Sequence, residues 1–184
     1  MKKLGVIVNP IAGIGGKVGL KGSDGPATVQ RAKDLGALSE SPQRAIQALS
    51  IIAGIKEDLE IITYPHEMGE YEARKSGFTP NVIGTIADGG STAENTMAAA
   101  RQMTNLAVDL LLFAGGDGTA RDIYAAVGQK VLALGIPSGV KIHSPVYAVT
   151  ARAAGRLAVM CLTGELSRER EAEVIDIDED SIGK

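Results

Sequence analysis

One local pattern constrains the fold of this 184-residue chain more than any other. Residues 109–114, Asp-Leu-Leu-Leu-Phe-Ala, form a short apolar run that is typical of a strand buried in a parallel sheet. The turn at 115–119, Gly-Gly-Asp-Gly-Thr, follows at once, and the apolar residues of 120–127 then repeat at the spacing of one helix face. A strand, a tight turn and a helix in this order are the repeating unit of an α/β sheet.

The same alternation continues along the chain. Short apolar runs predict strands at residues 4–8, 59–64, 82–86, 109–114 and 131–136, with a further candidate at 172–177. Helical patterns are predicted from Ser41-Pro42 onward, where Ser is the expected N-cap, and at 67–76, 91–103, 120–127 and 145–162. The order predicts a doubly wound, mostly parallel sheet with helices on both faces.

Composition narrows the classes of partner. Hydrophobic residues make up 45% of the chain, which is enough for one domain with a core of its own. A net charge of −3 and an aromatic content of 3% argue against nucleic acid and against an anionic membrane surface. No apolar run reaches the ~18 residues of a membrane span. The single cysteine, Cys161, is interpreted as a small core residue. We expect a cytoplasmic protein.

The turns that follow the strands hold the candidate binding residues. In a doubly wound sheet these turns meet at the carboxyl edge, where glycines expose backbone N–H groups and lysines add positive charge. Phosphate and Mg²⁺ are the expected ligands of such an edge. The candidates are Asn9, Gly13, Gly15, Gly16, Lys17, Lys21, Asp88, Gly115, Gly116, Gly118, Thr119, Ser138 and Lys141.

Asp117 is the candidate catalytic residue. A carboxylate at a helix start repels phosphate unless a cation bridges the two or the carboxylate handles a proton. The alternative is that Asp117 only caps the helix, because Asp is a favoured N-cap residue. The glycines on both sides favour the chemical interpretation.

The other candidates have ordinary structural interpretations that stay open. Residues 13–17 have neither the spacing of a Walker loop nor that of a Gly-x-Gly-x-x-Gly turn, so they form either a flexible loop or a phosphate cradle. The lysines could be solvated, Asp88 could belong to a turn, and His143 could make a loop hydrogen bond. The length of the segment at 9–27 favours a function for the first loop.

These motifs resemble a known group of kinases. Asn9-Pro10 with its glycine-rich loop and the turn at 115–119 look like the superfamily of NAD kinases, diacylglycerol-type lipid kinases and phosphofructokinases. Residues 9–25 and 135–144 look, more narrowly, like the predicted ATP-NAD kinases related to the acetoin-catabolism protein X. The resemblance spans most of residues 1–178.

The resemblance implies roles for particular residues. Asp117 would lie at the acceptor hydroxyl as the catalytic acid, and its neighbouring glycines and Thr119 would approach the nucleotide phosphates. The implied ligands are NAD, with ATP or polyphosphate as donor and Mg²⁺ as cofactor. The Asn-Glu pair that grips the NAD ribose in NAD kinases occurs here only reversed, as Glu94-Asn95, and its role is not carried over.

The resemblance also implies a domain division. Residues 1–171 are expected to form the nucleotide-binding kinase domain, and residues 172–184 the crossing to a second, β-rich domain. We expect a homo-oligomer. Two alternatives to an NAD kinase remain: a non-catalytic nucleotide-binding or accessory module, and a lipid kinase, which the negative net charge disfavours.

Overall fold

The computed structural model describes residues 1–20, 25–87, 90–138 and 142–166, without the side chain of Lys17. The strands are β1 (Lys2–Val8), β2 (Leu59–Thr63), β3 (Asn81–Val82), β4 (Leu110–Gly115) and β5 (Ala133–Pro137). The α-helices are α1 (Pro26–Asp34), α2 (Ser41–Ile52), α3 (Glu70–Lys75), α4 (Ala93–Asn105), α5 (Asp117–Val127) and α6 (Ala151–Leu162). Short 3-10 helices lie at Gly16–Val18, Ala53–Asp58 and His66–Met68.

The five strands form one parallel sheet in the order β3-β2-β1-β4-β5. The chain builds one half outward from β1 and then returns to place β4 on the other side of β1. The strand order therefore reverses between β1 and β4, and in open α/β sheets ligands bind in the crevice at this point. The predicted doubly wound fold is confirmed.

Alternating strand residues supply two hydrophobic cores, one on each face of the sheet. Leu4 and Leu112 pack with α2 and α6 on one face, and Ile7 and Phe113 pack with α4 and α5 on the other. This alternation explains why the strands read as continuous apolar runs, because both faces are covered. Helices α2 and α6 lie so close that a Cβ at Gly155 would be 2.7 Å from the carbonyl oxygen of Ala48.

Two predicted elements differ from the structure because a tyrosine contacts a distant glycine. The strand expected at 82–86 ends at Val82, since Gly84 turns with a φ of +74° over the ring of Tyr64. The helix expected at 145–162 begins only at Ala151, because Tyr147 forms a β-bridge with Gly135. Both interruptions come from contacts between distant parts of the chain.

Several predicted boundaries and caps also differ. Helix α1 lies in a region for which no helix was predicted. The helix expected at 67–76 divides into a 3-10 turn and α3, and Met68 and Glu72 in this segment are buried. Glu40, not Ser41, is the N-cap residue of α2. The helix expected from residue 91 begins at Ala93, after a capping box formed by Thr92 and Asn95.

The candidate strand at 172–177 and the predicted domain boundary lie outside the described residues. Within the described ranges, no helix is long and apolar enough to cross a membrane.

Candidate functional site

Asn9 joins the ends of the two strands at the crevice. Its backbone N–H donates to the carbonyl of Ala114 at 2.9 Å, which continues the β1–β4 pairing by one residue. Its side-chain Nδ2 donates to Thr119 Oγ1 at 3.0 Å, and its Oδ1 accepts from the N–H of Ile11 at 3.2 Å. Asn9 thus ties the first loop to the first turn of α5.

The glycine-rich turn connects β4 directly to α5. Gly115 is the last residue of β4 and Gly116 is the N-cap residue of α5. A Cβ at Gly115 would lie 2.3 Å from Thr119 Oγ1, so the buried threonine requires glycine there. A Cβ at Gly116 would meet no described atom within 4 Å, and one at Gly118 would meet only the Arg121 side chain, at 4.0 Å. The outer surface of the turn is therefore open to close approach.

Asp117 is half-buried at the first position of α5, and its carboxylate turns toward residues 143–144. Oδ2 accepts from the N–H of His143 at 2.8 Å, and Oδ1 accepts from the N–H of Ser144 at 3.0 Å. The helix-cap interpretation is wrong, because Gly116 occupies the N-cap position and no side chain caps α5. Each carboxylate oxygen keeps a further lone pair that a hydroxyl or a cation could use.

Residues 142–148 run across the turn, and we call them the strap. The strap is fixed to β5 by two backbone hydrogen bonds, from Gly135 N to Val146 O and from Ala148 N to Gly135 O, both 3.0 Å. The hydroxyl of Tyr147 donates to the carbonyl of Gly116. The strap therefore contacts both sides of the peptide bond that leads into Asp117.

Ser138, one of the predicted binding residues, lies beside the turn. Its backbone N–H donates to the carbonyl of Gly115 at 3.0 Å. Its hydroxyl is buried and donates to the carbonyl of Ile136 at 3.3 Å. In this arrangement Ser138 extends the β4–β5 pairing, and its hydroxyl points to backbone.

The predicted first-loop glycines lie in a folded segment. Gly13 has a φ of +71°, Gly15 precedes the 3-10 helix that Gly16 begins, and Leu20 N donates to Gly15 O at 2.9 Å. Ile14 packs with Ala32 and Ala37 in a small third core. The described part of the first loop therefore has turns, a 3-10 helix and a small core of its own.

Four of the predicted binding residues cannot be placed. Lys21, Asp88 and Lys141 lie outside the described residues, as does the side chain of Lys17. Seven of the other ten predicted residues lie together at the crevice: Asn9, Gly115, Gly116, Asp117, Gly118, Thr119 and Ser138. The other three, Gly13, Gly15 and Gly16, lie in the first loop.

Two residues at this edge were missed by sequence reasoning. One is Tyr147. Gly135 could have indicated it, because a glycine inside a strand often marks a place where another group packs directly on the strand backbone. Arg44 is the other: its Nη1 donates to the carbonyl of Pro137 at 2.6 Å and its Nη2 pairs with Glu40 at 2.7 Å. A positive charge in the first turn of a helix interacts unfavourably with the helix dipole. An arginine at this position therefore indicates that a specific partner stabilises it.

Arg44 also lines a cleft where α2 and α6 begin. The cleft has a volume of about 360 Å³, and the ion pair with Glu40 balances the charge of the arginine. Its walls are formed by Glu40, Gln43, Arg44, Gln47, Val149, Thr150 and Ala151.

The protonation of Tyr147 follows from its surroundings. Burial, and secondarily the nearby charge of Asp117, raise the pKa of the Tyr147 phenol far above its ordinary value. The hydroxyl therefore stays a hydrogen-bond donor at any physiological pH. Among the described residues, no group of three or more His, Cys, Asp and Glu side chains could hold a metal without further ligands.

Comparisons with known proteins give the family. Neither the curated proteins nor the solved structures contain a match to this chain. The family model of the ATP-NAD kinase N-terminal domain matches residues 4–166, which confirms the resemblance to NAD kinases and shows that the chain belongs to this family.

Proposed function

We propose that this protein transfers a phosphoryl group from ATP or polyphosphate to a hydroxyl group, with NAD as the acceptor. The observation that carries the proposal is the placement of Asp117 at the β1–β4 crevice, at the start of α5, with an oriented carboxylate. Membership of the ATP-NAD kinase family supports kinase-like chemistry. A helix N-terminus with open glycines is suited to phosphate groups.

The proposed reaction consists of one proton transfer and one exchange of bonds at phosphorus. The acceptor hydroxyl oxygen forms a bond to the terminal phosphorus of the donor, and the bond from that phosphorus to the leaving oxygen breaks. Asp117 takes the proton of the acceptor hydroxyl. The N–H groups of the turn at 116–118 and the lysines at 17, 21 and 141 would offset charge on the phosphates.

A Mg²⁺ ion fits this donor set. Mg²⁺ is usually held by one or two carboxylates together with substrate phosphate oxygens, so a single carboxylate beside the turn suffices on the protein side. Asp117 is the residue that would hold it, and the ion would neutralise charge on the transferred group. Asp117 could thus serve the metal, the proton or both.

One observation favours a second candidate function, a nucleotide-binding module without catalysis. Asp117 already accepts two backbone hydrogen bonds, so its carboxylate also has a structural task. A protein in which that task is the whole role of Asp117 would bind nucleotide at the turn and transfer nothing.

The test incubates the protein with Mg²⁺, ATP or polyphosphate, and NAD, diacylglycerol or sugars as acceptors. Phosphorylated NAD as the main product supports the proposal. Nucleotide binding with no phosphorylated product from any acceptor shows the non-catalytic module instead. Phosphorylation of diacylglycerol in preference to NAD shows a lipid kinase.

A further inference from the structure

The strap is attached to the turn at two consecutive residues by two different kinds of group. At Asp117 the side chain accepts from backbone N–H groups of His143 and Ser144. At Gly116 the backbone carbonyl accepts from the side-chain hydroxyl of Tyr147. The orientation of Asp117 therefore depends on the strap, and Tyr147 adds a second attachment between the strap and the turn.

The ring of Tyr147 is held in a fitted socket. A Cβ at Gly135 would lie 2.4 Å from Cδ1 of the ring, so the ring packs directly on the strand backbone. Phe113 meets it edge-on, with the ring centres 5.4 Å apart and an interplanar angle of 69°. The socket leaves the hydroxyl directed at Gly116 O.

The carbonyl that Tyr147 contacts is also the first acceptor of α5. Gly116 O accepts from the N–H of Ala120 at 3.2 Å, which begins the helix. The carbonyl oxygen of the peptide between Gly116 and Asp117 thus has two donors, one from the helix backbone and one from the phenol. Rotation of this peptide would turn the N–H of Asp117 and move its carboxylate.

We propose that Tyr147 is a positioning residue for the site: its hydroxyl fixes the peptide before Asp117 and thereby aims the carboxylate and the N–H groups of the turn. This inference rests on the proposed phosphoryl transfer. Tyr147 itself need not touch any substrate. The alternative is that Tyr147 only fills the core beside Phe113, in which case the ring matters and the hydroxyl does not.

The experiment removes the hydroxyl and keeps the ring. Tyr147→Phe is compared with wild type and with Tyr124→Phe, which removes the hydroxyl of an exposed tyrosine on α5. Gly116 O keeps its bond from Ala120, so the melting temperature of Tyr147→Phe is expected within about 4 °C of wild type. Amide hydrogen exchange at His143 and Ser144 is expected to become at least about fivefold faster. With NAD as acceptor, kcat is expected to fall about tenfold and KM to change less than about twofold.

The outcomes separate this inference from the proposed function. The positioning role is overturned if amide exchange in Tyr147→Phe is unchanged, or if exchange is faster while kcat is unchanged. A melting temperature lowered far beyond about 4 °C shows that the hydroxyl has a purely structural role. If wild type phosphorylates no acceptor, the proposed function fails, and the dissociation constant for Mg-ATP replaces kcat. Binding about tenfold weaker in Tyr147→Phe then supports positioning of the turn, and equal binding overturns it.

Discussion

Asp117 and Glu72 are both carboxylates in the first turn of a helix that follows a strand, yet their surroundings differ. Asp117 is half-buried and accepts two backbone N–H groups from the strap. Glu72 is 2% exposed, and its Oε2 has no hydrogen-bond partner among the described residues. Burial raises the pKa of Glu72 to about 7. A carboxylate at a helix start therefore does not identify a site, and its partners decide its role.

The two carboxylates are expected to affect different properties of the protein. The hydrogen bonds of Asp117 reach residues more than twenty positions away, so they define a geometry that only the folded chain has. The burial of Glu72 is costly to stability whenever the group is ionised. We therefore expect that changing Asp117 affects turnover most and that changing Glu72 affects stability most.

The largest effect is expected for Asp117→Asn. Loss of the proton acceptor should lower kcat for NAD phosphorylation by about 10²–10⁴-fold, because general-base catalysis contributes about that much. Asp122→Asn, on the same helix, is the matched control and should retain most of the activity. The measurement is kcat for NAD phosphorylation by both variants. Near-normal kcat in Asp117→Asn would show that Asp117 does not accept the proton of the acceptor hydroxyl.

Glu72 should make the protein less stable as the pH rises. The folded state holds the Glu72 proton up to about pH 7, whereas the ordinary pKa is 4.5, so the folded state binds more protons between these values. The free energy of unfolding should therefore fall from about pH 4.5 to about pH 7, by up to about 3 kcal/mol, and then level off. Urea unfolding across this range measures the effect.

Two variants on α3 test the sign of this effect. Glu72→Gln should remove the loss of stability toward neutral pH. Glu70→Gln is the opposite control, because the His66 N–H, and secondarily Arg74, lower the pKa of Glu70. Stability from Glu70 is present above its ordinary pKa and is lost as the pH falls. A Glu72→Gln protein with the pH profile of wild type would show that Glu72 does not cause it.

The sequence predicted the parts of the fold that depend on local pattern. The order of strands and helices follows from apolar runs and helical spacing, and the glycine-rich turn stands out because its glycines are adjacent. The strap did not follow from the sequence, since residues 145–150 have a helical apolar pattern that pairing of Tyr147 with Gly135 overrides.

The same distinction applies to the site. Asn9, Asp117 and Thr119 were predicted because each belongs to a compact motif at the end of a strand. Tyr147 and Arg44 were missed because their partners lie far away in the chain, at Gly116 and Pro137. The narrower resemblance to relatives of the acetoin-catabolism protein X stays a prediction.

Two neighbouring glycines should respond differently to alanine. Gly115→Ala should destabilise the protein by about 1–3 kcal/mol, because its Cβ would overlap Thr119 and force the buried side chain to move. The Cβ of Gly116→Ala meets no described atom within 4 Å, so the variant should lose less than about 1 kcal/mol, the ordinary cost of alanine at an N-cap position. It should weaken Mg-ATP binding, because the new methyl group covers the turn. Thermal unfolding and titration of Mg-ATP measure both. Equal loss of stability in the two variants would contradict the open surface inferred at Gly116.

The smallest effect concerns the hydrogen bond between Asn9 and Thr119, which joins the first loop to α5. Asn9→Ala leaves the buried Thr119 hydroxyl without this donor, and Thr119→Val removes the hydroxyl while keeping the shape of the side chain. A double-mutant cycle isolates the pair, because Asn9 also contacts Ile11 and that loss cancels in the cycle. We expect a coupling free energy of about 1 kcal/mol in urea unfolding, as for a neutral hydrogen bond. A coupling near zero would mean that the first loop and α5 are held together by packing, and that Asn9 is kept at the crevice without help from Thr119.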